Sequence, residues 1–189
     1  MSSFDEIKIL LKSGVDVLCV SETWLLPEIP THFIEVDGFN VYRCDGGRGG
    51  GVCVYTSKEL KAVPISIGLP SCAGVEDVWL RIQSKMLPAI ILGAMYRHPH
   101  ALADSFEYIE NSLQRSSLHK KSVFLLEDLN CDLLQPNAKL DKIVCQAKFH
   151  QIIEKPTRVT STSRTLIDVI ITNNRDILLS SDVETCNFS

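Results

Sequence analysis

Three apolar, strand-like runs each carry a carboxylate at or near one end: Val17-Leu18-Cys19-Val20-Ser21-Glu22, Val123-Phe124-Leu125-Leu126-Glu127-Asp128-Leu129-Asn130 and Leu166-Ile167-Asp168-Val169-Ile170-Ile171. A buried acid without a partner is expensive to desolvate, so acids on several core strands are best explained if they converge on a cation at the rim of a sheet. That is oxygen-ligand metal chemistry. Mg²⁺ takes one or two carboxylates and completes its shell with water and phosphate oxygen, and Mn²⁺ suits the same ligands. Asp128 and Asn130 are alternate residues, which on a strand share a face. One phosphate can then meet both, with Asp128 orienting or deprotonating a water while Asn130 donates to a phosphate oxygen. The competing readings are a surface or helix-capping acid at Glu22 and a loop cap at Asp128 and Asn130.

Other residues are less specific. Tyr96-Arg97 follows an apolar strand, where a tyrosine hydroxyl can polarise a phosphate but a core tyrosine beside a solvated arginine is nearly as good a description. His98 reads as a surface residue. The stretch Lys155 to Arg164 holds Lys155, Arg158, Arg164 and a run of hydroxyl residues with no acid, which suits a phosphate-contacting loop as well as an ordinary solvated one. Gly46-Gly47-Arg48-Gly49-Gly50-Gly51 lacks the Lys-Ser/Thr of a nucleotide-binding loop and precedes a strand, so it is read as a flexible turn. Cys131 has no obvious histidine base and is not expected to be a nucleophile.

The elements that must position these residues are a short helix over Phe4, Ile7, Leu10 and Leu11 ended by Gly14, then a strand at 15–22. A hairpin of Phe39–Arg43 with Val52–Tyr55 follows, then strands at 61–67, 76–83 and 88–96. Leu102, Phe106, Ile109 and Leu113 form one helical stripe, and a further helix is expected at 138–149. Strands at 122–129, 165–172 and 177–184 complete the pattern. Many strands with few, irregularly spaced helices point to an α/β (α+β) fold, two packed and mostly antiparallel sheets with helices outside, in place of a doubly wound sheet.

The 189 residues, 45% apolar and 22% charged, suffice for one core and are expected to form a single domain at 1–189. The net charge of −4 excludes polyanion binding by bulk attraction, so any nucleic-acid contact must be local. Seven cysteines at 19, 44, 53, 72, 131, 145 and 186 include no C-x-x-C pair, which points to reduced core thiols and an intracellular site, nuclear or cytoplasmic. No apolar run approaches the roughly 18 residues of a membrane span, so no membrane partner is expected.

The ordered set Ser21-Glu22-Thr23-Trp24-Leu25, Gly38-Phe39, Arg48-Gly49-Gly50-Gly51-Val52, Tyr96-Arg97, Asp128-Leu129-Asn130, Pro156-Thr157-Arg158, Thr165-Leu166-Ile167-Asp168 and Thr172-Asn173 resembles the endonuclease/exonuclease/phosphatase superfamily. Within it, the match is closest to the apurinic-type endonuclease domain of non-LTR retrotransposons, and it covers nearly the whole chain. The resemblance implies a four-layer α/β/β/α sandwich, Mg²⁺-dependent phosphodiester hydrolysis and DNA as substrate. It implies a monomer descended from a protein once fused to a reverse transcriptase. By the same resemblance Glu22 holds the metal, Asp128, Asn130, Tyr96 and Asp168 are catalytic, and Arg97, Arg158, Arg164 and Thr165 contact substrate. A non-catalytic remnant, or a phosphatase or lipid phosphodiesterase on the same scaffold, are the alternatives. Three departures stand out. Glu127 and Leu129 replace the family's glycine and phenylalanine, and Glu127 is expected to raise carboxylate pKa values or invite a second cation. His98 replaces a proline. The family's first strand and its terminal Asp-His are not among these residues, which points to an incomplete domain of impaired activity.

Overall fold

The computed structural model describes residues 3–136 and 138–184. The first helix, α1 (Ser3–Lys12), has Asp5 and Glu6 in its first turn and Lys12 in its last, complementing the helix dipole. Gly14, at φ +96°, turns the chain away. The strands that follow are β1 (Val17–Ser21), β2 (Phe39–Cys44), β3 (Val52–Ser57), β4 (Lys61–Pro64), β5 (Val75–Gln83) and β6 (Ile90–Arg97). Next come α2 (Asp104–Ser117), β7 (Ser122–Asp128), α3 (Lys139–Gln146), β8 (His150–Gln151), β9 (Arg158–Val159), β10 (Arg164–Thr165) and β11 (Asp168–Thr172).

The strands form a three-stranded sheet in the order β1-β3-β2, a six-stranded sheet in the order β4-β5-β6-β7-β11-β8, and a two-stranded ribbon of β9 and β10. All pairs are antiparallel except β6 with β7, whose parallel pairing is made possible by the crossover through α2. The two large sheets pack face to face. Between them lie Val52 and Val54 from one and Leu80, Ile82, Leu92, Ala94 and Tyr96 from the other. Outside the small sheet, Phe4, Ile7 and Leu11 of α1 cover Cys53 and Tyr55. Outside the large one, Ile109 and Leu113 of α2 and Leu140, Ile143 and Val144 of α3 cover Ile91, Met95, Val123 and Leu125. The molecule is therefore a mixed α/β sandwich of four layers.

Strand alternation decides which side chains face the site. Even-numbered residues of β6 point between the sheets and odd-numbered ones point toward the helices. Tyr96 and Arg97 thus leave opposite faces of one strand.

Several expectations are corrected here. Leu102 lies before α2 and is exposed rather than part of its apolar stripe. The segment 177–184 forms no strand, and the stretch expected as one strand at 165–172 is two, with β10 in the ribbon and β11 in the large sheet. Among the described residues no disulfide joins the cysteines, but Cys145 is exposed and is not a core thiol; Cys186 lies outside the described residues. No helix among them is long and apolar enough to cross a membrane.

Candidate active site

Glu22 sits one residue past the end of β1, in a left-handed conformation at φ +50°. A non-glycine residue holds such a backbone only when its surroundings fix it. Here the backbone N–H groups of Thr23 and Trp24 donate to the carbonyls of Gly51 and Gly50 at 3.3 and 2.9 Å. The β2–β3 connection thereby orients the carboxylate. The Tyr96 hydroxyl, from a ring only 1% exposed, donates to Glu22 Oε1 at 2.8 Å across 74 residues of sequence. Burial and the neighbouring Glu22 carboxylate raise the Tyr96 pKa, so the phenol stays a hydrogen-bond donor at neutral pH.

Asp128 is the last residue of β7, opposite Asp168 on β11, and is 9% exposed. Its carboxyl accepts the Asn130 backbone N–H at 2.7 Å, while Asn130 Nδ2 donates to the Arg97 carbonyl at 2.9 Å. Asn130 has φ +47° and lies beyond the strand, so strand alternation is not what brings it beside Asp128. A tight turn closed by the Asp128 side chain does so. The Asp128 pKa is pushed up to about 6, first by burial and then by the negative charges of Asp168 and Glu22, against the Asn130 N–H and the Arg158 guanidinium. Glu22, Tyr96, Asp128, Asn130, Asp168 and Arg158 therefore share one end of the inter-sheet cleft.

Glu127 departs from the regular strand. Val123, Leu125 and Leu129 face the helices, and alternation would send Glu127 with them. Instead its backbone takes φ +105° and its carboxyl lies beside Ser21 and Cys19 of β1. Burial, followed by Asp168 and Asp128, pushes its pKa up to about 7, with hydrogen bonds from Ser21 opposing. The rise expected from Glu127 thus falls on Glu127 itself; the causes of the rise at Asp128 are burial, Asp168 and Glu22.

Arg97, expected to contact substrate, is tied to the protein itself. It is 6% exposed, its Nε and NH2 donate to Ser105 Oγ at 2.8 Å and to the Ala101 carbonyl at 3.1 Å, and its guanidinium lies 4.4 Å from the Phe106 ring centroid. It fastens the loop before α2 on the face away from the carboxylates. Arg158 and Arg164 are exposed on the ribbon, and Thr165 is the cross-strand partner of Arg158. Lys155, counted with the basic loop, is paired with Asp182 at 2.6 Å.

Three features escaped the sequence. Thr157 Oγ1 accepts the backbone N–H groups of both Ile167 and Asp168, at 3.2 and 3.1 Å, and so sets where β11 and its acid begin. Asp132 Oδ1 accepts those of Leu134 and Leu166, each at 3.0 Å, tying the loop after Asn130 to the approach to Asp168. The glycine cluster is packed, not a loose turn: a Cβ on Gly46 would lie 2.8 Å from Glu76 Cδ and one on Gly50 2.8 Å from His98 Nε2. Only the Pro156-Thr157-Arg158 and glycine motifs hinted at these, and neither revealed its contacts.

No group of three or more His, Cys, Asp or Glu side chains among the described residues forms a ready-made metal cluster. The donor set nonetheless fits a hard divalent ion. Mg²⁺ asks for only one or two carboxylates with water and phosphate oxygen, and the burial and neighbouring negative charges that lift Asp128 are what a cation would offset.

The architecture is that of the endonuclease/exonuclease/phosphatase fold. The structure is similar to the endonuclease domain of TRAS1, a telomere-specific non-LTR retrotransposon, at TM-score 0.62 and 15% identity over 87% of this chain and 75% of that one. It is similar to the Xenopus laevis APE2 catalytic domain at TM-score 0.59 and 16% identity, covering 90% and 78% of the two chains. An endonuclease/exonuclease/phosphatase family protein from Bacteroides thetaiotaomicron aligns at TM-score 0.58 and 11% identity, covering 90% and 73%. No protein-family model matches the sequence, and no curated relative matches it significantly.

Proposed function

We propose that this chain is a Mg²⁺-dependent phosphodiester hydrolase that nicks DNA, of retrotransposon origin, with activity impaired by Glu127. The observation that carries this reading is the convergence on one cleft of Glu22, hydrogen-bonded to Tyr96, with the Asp128–Asn130 turn. The likeness to a retrotransposon endonuclease domain supports DNA as substrate. When bound, Mg²⁺ supplies positive charge at the phosphate. Glu22 is the residue to hold it. Asp128 orients the attacking water and accepts its proton as the new bond to phosphorus forms. The bond to the leaving oxygen breaks, and that oxygen takes a proton from solvent. Asn130 donates to a non-bridging oxygen, Tyr96 holds Glu22 in place, and the charge of Asp168, opposite Asp128 on the ladder, strengthens the hold of that base on the proton it accepts. Arg158, Arg164 and Thr165 stand on a ribbon suited to backbone phosphates.

Glu127 favours a weak or absent activity, because it adds a third acid beside Asp128 and Asp168 where glycine would add none. Supercoiled plasmid incubated with Mg²⁺ tests the reading. Slow nicking that disappears in Glu22→Gln and Asp128→Asn is expected, with faster nicking by Glu127→Gly. Nicking by none of these proteins, or nicking that survives Glu22→Gln, would overturn it.

A further inference from the structure

Beside the cleft lies a hydrogen-bonded Glu–His pair that the proposed reaction does not use. Glu76 on β5 is the cross-strand neighbour of Tyr96. His98 Nε2 donates to Glu76 Oε1 at 3.2 Å, and Glu76 Oε2 lies equally close to that nitrogen but accepts no hydrogen bond of its own. The imidazole packs edge-on to the Tyr96 ring, with centroids 5.0 Å apart and planes at 67°. The glycine connection closes over this pair: Gly46 and Gly50 approach Glu76 and His98 so closely that neither has room for a Cβ. The same connection accepts the Thr23 and Trp24 N–H groups that fix Glu22. One backbone segment therefore holds both ends of the Tyr96–Glu22 hydrogen bond, the carboxylate through the Thr23 and Trp24 backbone and the phenol through His98.

We propose that Glu76 and His98 form a positioning pair for Tyr96: the carboxylate anchors the imidazole, and the imidazole edge fixes the phenol ring so that its hydroxyl stays on Glu22. The pair touches no reacting atom and acts through Tyr96. Its importance for turnover rests on the phosphodiesterase reading, whereas its effect on the ring does not. Side-chain exposures of 28% for His98 and 14% for Glu76 leave the imidazole open enough to be replaced without emptying the core.

The test uses the full chain carrying tyrosine labelled with ¹³C at Cζ, the Tyr96 signal being the one lost in Tyr96→Phe. Glu22→Ala gives the displacement that marks a broken phenol hydrogen bond. His98→Ala and Glu76→Ala are expected to move the Tyr96 signal in the same direction, while Glu76→Gln, which still accepts from Nε2, leaves it in place. Should His98→Ala not fold, His98→Phe decides, since it keeps a ring against Tyr96 but loses the anchor and is expected to move the signal. An unmoved Tyr96 signal in the folded His98 and Glu76→Ala variants overturns the proposal. Where the parent protein nicks DNA, His98→Ala should lower kcat about 10- to 100-fold with KM unchanged, and should have no further effect in Tyr96→Phe. Additive losses would contradict action through Tyr96. If no protein in the set nicks DNA, the functional reading fails while the tyrosine signal still decides the positioning.

Discussion

Replacing Glu127 by glycine should stabilise the protein, and by an amount that depends on pH. A φ of +105° in a residue with a Cβ costs about 1–3 kcal/mol, which glycine does not incur, although glycine gives back about 0.5–1 kcal/mol in unfolded-chain entropy. The carboxyl adds a second cost. Its pKa rises from the ordinary 4.5 to about 7 on folding, so the folded state holds this proton more tightly than the unfolded state does. Stability then falls as pH climbs from about 4.5 to about 7, reaching a loss of about 3 kcal/mol above that range. Combining these, Glu127→Gly should gain about 3–6 kcal/mol at pH 8 and no more than about 3 kcal/mol at pH 4.5. Urea unfolding of both proteins at pH 4.5, 6 and 8 measures this directly. Asp128, raised to about 6, slopes the same way between about 4 and 6 and should keep part of the pH dependence in the variant. A gain of equal size at every pH, or a loss at pH 8, would refute the desolvated, acid-crowded environment of the Glu127 carboxyl.

Nicking should rise as pH increases through about 6, where Asp128 becomes the ionised form that accepts a proton, and reach a plateau above it; a rate falling over pH 5–7 would contradict its role as base. Thr157→Val removes the oxygen that accepts two backbone N–H groups at the start of β11 and should cost about 1–3 kcal/mol, read as a lower urea midpoint. Arg97→Lys loses the forked contacts to Ser105 and Ala101 and should lower Tm while leaving KM for DNA within about twofold; a large KM change would return Arg97 to the substrate-binding set. Gly50→Ala places a Cβ 2.8 Å from His98 Nε2 and should lower both stability and activity, seen in thermal melts and plasmid nicking.

Sequence periodicity was sufficient for the layers. Alternation in Val78, Leu80 and Ile82, the doubly buried run Ile90–Leu92, and the helical spacing of Phe106, Ile109 and Leu113 are local records of which side faces the core. The carboxylates at strand ends were readable for the same reason, since their surroundings are apolar and nearby in the chain. What joins them is not local. The Tyr96–Glu22 hydrogen bond spans 74 residues, and the break between β10 and β11 depends on a threonine hydroxyl ten residues away capturing two N–H groups. Neither leaves a periodic trace. A charged residue at a strand end such as Arg97 reads as solvated, whereas alternation turns it under α2 onto Ser105 and Phe106. His98 and the glycine run each read as unremarkable alone, and only their contact across the β2–β3 connection gives them a role.

Anomalous scattering from crystals soaked in Mn²⁺ would locate the cation directly. A peak beside Glu22 on the Asp128 side of the cleft, absent in crystals of Glu22→Gln, is the expected result. Full Mn²⁺ occupancy elsewhere, or a peak unaffected by losing the Glu22 charge, would contradict a shared metal and phosphate site at this end of the sandwich.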